Sequence, residues 1–160
     1  MHEHAHGHAH VHGDAGLTRS AVQATTHCLI GCATGEVVGM AAAEGFGWSN
    51  AVQIPLAIVL AFVFGYALTL QPVLKAGVAF RKASGIAFAS DTVSISVMEA
   101  VDNIFVLLVP GAINAGLGDG KFWWSIVIGF VIAFPLATIA NRWLIARGKG
   151  HAVVHQYHHH

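Results

Sequence analysis

The sequence sets thiols, an imidazole, thioethers and carboxylic acids inside apolar stretches, at spacings that gather them on helix faces. One stretch reads Thr26-His27-Cys28-Leu-Ile-Gly31-Cys32-Ala-Thr-Gly35-Glu36-Val-Val-Gly39-Met40. Cys28, Cys32, Glu36 and Met40 recur every four residues. At 3.6 residues per turn they form one slowly drifting stripe. Thiolates and thioethers are soft ligands suited to copper(I), and imidazole suits copper and zinc. A second stretch reads Ser90-Asp91-Thr92-Val-Ser94-Ile-Ser96-Val-Met98-Glu99-Ala-Val-Asp102-Asn103. Asp91, Ser94, Met98 and Asp102 share a face there. Glu99, Asp102 and Asn103 stand at i, i+3 and i+4 and cluster as well.

Glu36, Asp91, Glu99 and Asp102 are acids within apolar segments, and no Lys or Arg lies mid-segment to pair with them. An acid at bilayer depth costs about 2.5–3.5 kcal/mol on insertion scales, so four together oppose insertion by on the order of 10 kcal/mol. Protonation, a bound cation or water in a cavity would each relieve that cost. The expected metal set is therefore His27, Cys28, Cys32, Glu36, Met40, Met98, Glu99 and Asp102, with Asn103, Ser94 and Asp91 supporting it. Each piece also has a plainer reading. Small cysteines pack membrane helices, Met40 fills gaps, His27 bonds a neighbouring helix, and the acids form a protonated network. Glu36 is the hardest to explain that way.

Four apolar segments, 21–43, 52–70, 86–110 and 122–145, must position these groups. Each has the roughly 20 residues that a bilayer core requires, and backbone in lipid must be satisfied within its own segment, so all four are expected to be helices. The second carries no charge and the fourth is nearly as clean, so both are read as scaffold. A stripe of His27, Gly31, Gly35 and Gly39 beside the cysteines lets another helix approach closely. The connections are short, apart from a short interfacial helix expected between Gln71-Pro72 and Ser84. The expectation is an all-α, up-down four-helix transmembrane bundle over residues 18–147. Residues 1–17 are expected to be a disordered His-rich tail and 148–160 a second His-containing tail.

Composition supports this class. Apolar residues make up 55% of the chain and charged ones 10%, against about 25% charged in soluble domains. Net charge is zero, and no basic patch or nucleic-acid motif occurs, so nucleic acid is not an expected partner. Cys28 and Cys32, the only cysteines, sit in a helix and frame no disulfide scaffold. Arg19, Lys75, Arg81, Lys82, Arg142, Arg147 and Lys149 fall at one end of the expected bundle and Lys121 at the other. That asymmetry predicts both termini on the cytoplasmic side. Trp48, Trp123 and Trp124 then mark the outer interface and Trp143 the inner one. His2, His4, His6, His8, His10 and His12 alternate along the first residues, and His151, His155 and His158–His160 follow the last helix. Such density captures divalent first-row metals, although the final three also read as a purification tag.

His27-Cys28-Leu-Ile-Gly31-Cys32 followed by Gly35-Glu36, together with Met98-Glu99-Ala-Val-Asp102-Asn103, resembles a family of small bacterial integral membrane proteins known only as a domain of unknown function. The resemblance covers residues 25–156. It implies membrane location, here a bacterial inner membrane, and no activity. From the residues, the expected function is binding and transport of a transition metal, copper(I) first and zinc(II) or another divalent ion second, in a homo-oligomer within the lipid bilayer. This is not enzymatic. An enzyme is the runner-up, a thiol oxidoreductase using Cys28 and Cys32. Redox pairs usually follow Cys-x-x-Cys, and these two lie four apart. A haem protein with His27 axial is a variant of that reading, without an attachment motif. The third reading is a proton or cation channel, or an accessory subunit holding no metal.

Overall fold

The computed structural model describes residues 7–75 and 77–147. It is all-helical among those residues: α1 (Gly7–Phe46), α2 (Asn50–Lys75), α3 (Phe80–Leu108), a 3-10 turn (Ala112–Asn114) and α4 (Gly120–Ala146). The helices run alternately up and down. In order α1, α2, α3, α4 they form a four-sided bundle, with α1 and α3 facing each other across its diagonal.

Local sequence explains the turns. Gly47 (φ 66°) and Gly77 (φ 81°) stand just past the ends of α1 and α2 in the left-handed conformation that glycine adopts without penalty. At each, the glycine N–H bonds three residues back, to Glu44 and Leu74. The next N–H bonds five back, to Ala43 and Val73. This is the Schellman arrangement, and it closes the last turn of each helix. At α4 the Asp119 side chain accepts from Lys121 N–H at 2.8 Å and caps the first turn.

The glycine stripe of α1 meets α2. A Cβ at Gly31 would stand 2.7 Å from Gly65 Cα, and one at Gly39 2.8 Å from Ala57 Cα. One at Gly35 would overlap the Ala61 backbone. Pairs 31–65, 35–61 and 39–57 form an antiparallel ladder of small residues, so the two backbones touch. The expected close approach is therefore made within the chain, and this stripe offers no face to a second copy.

Two further expectations change, and a third is met in part. The helix begins at Gly7, so residues 7–17 are its first turns and not an irregular tail. No proline interrupts them, and α1 supplies the nucleus onto which they add. Arg142 also donates to Asp14 at 3.0 Å. His2, His4, His6 and residues 148–160 lie outside the described residues, as do the side chains of His8, His10 and His12. Next, Pro72 lies inside α2, and α3 starts at Phe80, which leaves no separate interfacial helix. Proline at 72 removes one backbone bond close to the end of α2, a small loss. Finally, α1 (from Asp14), α2 and α4 are long and apolar enough to cross a membrane, and α3 is not among them. Its acids and hydroxyls lower its mean hydropathy.

The faces of α3 are nonetheless sorted. Asp91, Glu99 and Asp102 are 0, 4 and 2% exposed, while Phe88, Leu107 and Leu108 are 63–75% exposed. Val59, Val63, Val127, Val131 and Ile139 stand outward on α2 and α4. Polar groups inside and aliphatic groups outside invert the order of a water-soluble domain. Arg19, Lys75, Arg81, Lys82, Arg142 and Arg147 are all exposed at one end of the bundle. Trp48, Trp123 and Trp124 ring the other end, and Trp143 carries the Arg147 guanidinium 3.8 Å above its ring near the basic end.

Candidate functional site

Helical spacing turns the chemistry-bearing residues inward. Cys28, Cys32, Glu36 and Met40 are all buried along α1. Asp91, Ser94, Ile95, Met98, Glu99 and Asp102 are buried along α3. Because α1 and α3 run parallel across the diagonal, the two stripes meet level by level. Cys28 lies beside Asp91 and Ser94. One turn on, Cys32 lies against Glu99. One turn further, Glu36 faces Asp102 and lies near Glu99. Met40 and Met98 belong to the same core.

The acid level is the centre of interest. Asn103 Nδ2 donates to the Glu99 carbonyl oxygen at 2.8 Å and reaches Glu99 Oε2 at 3.4 Å. Among the described residues, Glu36 Oε1 and Oε2, Glu99 Oε1, Asp102 Oδ1 and Ser125 Oγ have no hydrogen-bond partner. Facing carboxylates are both acceptors, so the Glu36–Asp102 contact becomes a hydrogen bond only when a proton is shared. An isolated charge there costs several kcal/mol, on the order of the price of burying an unpaired ion. A cavity of about 70 Å³ borders these groups. Glu36, Glu99, Asp102, Asn103, Met40 and Ser125 contribute to its wall. Its volume suits about two waters or one small ion.

The eight expected metal ligands do not form one shell. From residue 27 to residue 40 the helix rises about 20 Å, so these residues make a file. Among the described residues, no three of His, Cys, Asp and Glu group in a way that could hold a metal ion. His27 is half-buried and sits on the flank of α1 next to the glycines. Cys28 and Cys32 are free thiols, 2 and 0% exposed. That burial denies a thiol-exchange partner direct access. Of the supporting residues, Asn103 holds Glu99, whereas Ser94 and Asp91 belong to the level of Cys28, two turns from Asp102.

The scaffold helices contribute more than expected. On α4, Ser125, Gly129, Ala133, Ala137 and Asn141 recur every four residues and are all buried. Gly129 makes room for Asp102, since a Cβ there would overlap its carboxyl. Asn141 Nδ2 donates to Thr25 Oγ1 at 2.9 Å and to Ser94 Oγ at 3.0 Å, which ties α4 to α1 and α3. On α2, Gln53 lines the cavity, and the Tyr66 hydroxyl bonds the Thr92 hydroxyl of α3 at 2.9 Å. The four-residue period on α4 was the available signal for Ser125 and Asn141, the same period that marks the cysteine stripe on α1.

An all-helical bundle with an apolar exterior, a buried acid centre and three helices fit to cross a membrane defines an integral-membrane type of protein. The chain belongs to the family described as a domain of unknown function, DUF4396, whose model matches residues 18–150. That match takes in every element from the first turns of the apolar part of α1 to the end of α4. No curated protein and no solved structure matches the chain.

Proposed function

We propose that this protein binds a cation at the Glu36–Glu99–Asp102 centre and moves it along the bundle axis, as a membrane transporter of a transition metal, copper(I) first and zinc or another divalent ion second. One observation carries the reading: Glu36, Glu99 and Asp102 border one small cavity with oxygens that no neighbouring donor satisfies, and a bound cation would draw together three groups that do not form a ligand shell by themselves. Soft groups on the same file, Cys28, Cys32 and Met98, favour a thiophilic metal over calcium or magnesium. The sorted faces of α3 support its crossing the bilayer with the other three helices, and the one-ended basic charge supports cytoplasmic termini in a bacterial inner membrane.

The step needs no catalysis. A cation leaving water exchanges part of its hydration for carboxylate oxygens at the centre, and Cys32, beside Glu99, supplies a thiolate when it gives up its proton. Proton release on binding and uptake on discharge would couple metal movement to a proton gradient. Uptake of ⁶⁵Zn or of copper(I) into proteoliposomes tests the reading. Wild-type protein is expected to raise uptake above protein-free vesicles, and Glu36→Gln with Asp102→Asn is expected to abolish the rise. Full uptake by the double variant would refute it.

A second reading has its own observation. The facing Glu36 and Asp102 carboxyls are arranged to share a proton, which fits a proton path using the acids alone. In that case Cys28→Ser with Cys32→Ser retains full proton flux, read with a pH-sensitive dye, and no metal uptake is seen.

A further inference from the structure

The walls of the acid centre differ sharply at its two ends. Toward the Trp48 end, the 70 Å³ cavity adjoins a wider mouth of about 280 Å³. Met40, Gln53 and Ile113 line both spaces and stand between them. Glu44, Asn50 and Asn114 line the mouth beyond. The mouth is held in shape. Leu117 N–H donates to Glu44 Oε1 at 2.7 Å, and Asn50 Nδ2 donates to Asn114 Oδ1 at 2.9 Å. Toward the basic end the axis is closed. Asn141 bridges Thr25 and Ser94, and Ala21, Ala24, Thr25, Ser94 and Asn141 around it are at most 3% exposed. Ser125 Oγ, 1% exposed and unpartnered, gives the cavity a polar wall on the α4 side.

We infer that the acid centre exchanges a small hydrated cation with the Trp48 end alone, through the Met40–Gln53–Ile113 throat, and that Asn141 is the latch that closes the opposite end. This rests on the cation reading above for what passes, but not for where the path lies. Gln53 is the polar member of the throat. Its amide offers both a donor and acceptor, so it can replace waters shed by an entering ion, while Met40 and Ile113 set the width. At the latch, passage requires breaking both Asn141 bonds.

Single cysteines in a Cys28→Ala, Cys32→Ala background, reconstituted into sealed vesicles, test the path. The reagent is a membrane-impermeant cationic methanethiosulfonate applied to one side at a time. Gly118→Cys and Arg147→Cys mark the two ends. Gln53→Cys and Ile113→Cys are expected to react from the Gly118 side faster by about tenfold or more than from the Arg147 side. Adding Asn141→Ala is expected to let the smaller ethylammonium reagent reach Ala137→Cys, one turn inside the latch on the same buried stripe, from the Arg147 side. Two throat positions guard against one variant failing to fold, and a monodisperse gel-filtration peak confirms each. Equal labelling from both sides, labelling from the Arg147 side, or none at either throat position would overturn the path. The label reads no ion flux. One-sided labelling with no cation uptake by the wild-type protein therefore sinks the cation reading and keeps the path, whereas two-sided labelling with wild-type uptake does the reverse.

Discussion

At the scale of single residues, Glu36, Glu99 and Asp102 are buried acids whose cost in stability the proposed cation would offset. Glu36→Gln keeps the shape and removes a charge whose oxygens have no donor. Thermal unfolding in detergent should therefore hold steady or shift upward, by the equivalent of about 1 kcal/mol, the usual size of a single-residue effect, while metal uptake disappears. A lower midpoint together with retained uptake would mean that Glu36 is a packing residue. Asn103 acts on Glu99 through its amide, so Asn103→Ala should weaken metal affinity by about 10- to 100-fold without changing stoichiometry, as losses of ligand-orienting groups do. Titration of purified protein with zinc reads both quantities. The acids and thiols were legible in the sequence because an ionisable group in an apolar run stands out against its neighbours. Their grouping was legible only in part. Periodicity put Glu36 and Cys32 on one face, but it cannot say which level of α3 each meets. Nor can it say that Asp91 meets Cys28, about two turns from the level of Glu36.

At the scale of helices, two contacts carry the arrangement. The α1–α2 ladder has no space for a side chain at Gly35, where a Cβ would overlap the Ala61 backbone. Gly35→Leu should cost at least about 1–3 kcal/mol, the range for overpacking, and should lower the yield of folded protein read by gel filtration. Gly129→Ala is the informative contrast. Alanine favours helix, and the atom it would strike is the Asp102 carboxyl, not backbone. The fold should survive while metal affinity falls by about tenfold or more. Equal affinity in the alanine variant would show that Asp102 has room elsewhere and does not need its observed position. The number and order of helices could be read from length and apolarity. The ends were read less well, since Pro72 signals a stop that α2 passes, and α1 continues back to Gly7 over residues whose composition suggested a tail. Ser125 and Asn141 are single polar residues in an otherwise apolar helix and carry no composition signal, but their four-residue spacing with Gly129, Ala133 and Ala137 marks a buried stripe.

At the scale of the whole molecule, the exterior is aliphatic, acids and hydroxyls lie among the buried residues, and all the described basic side chains but Lys121 stand at one end. These features fit the proposed placement in lipid with the basic end in the cytoplasm. A reporter active only in the cytoplasm should work when fused after Arg147 and fail when inserted at Gly118; the opposite pattern would invert the orientation. The glycine ladder is occupied within the chain, so assembly into a homo-oligomer, if the transporter requires it, has to use the aliphatic outer faces of the bundle. The histidine-rich segments at both ends of the sequence are expected to capture metal by themselves, and that capture has to be separated from the acid centre's own. The most direct test of the central claim is therefore elemental analysis of purified protein lacking residues 1–13 and 148–160, loaded with copper(I) or zinc and passed through a desalting column. Wild-type protein should retain metal at about one ion per chain, the occupancy of a single site at saturation, and a Cys28→Ser, Cys32→Ser, Glu36→Gln variant should retain none. Equal metal in the two proteins, or none in either, would contradict the account.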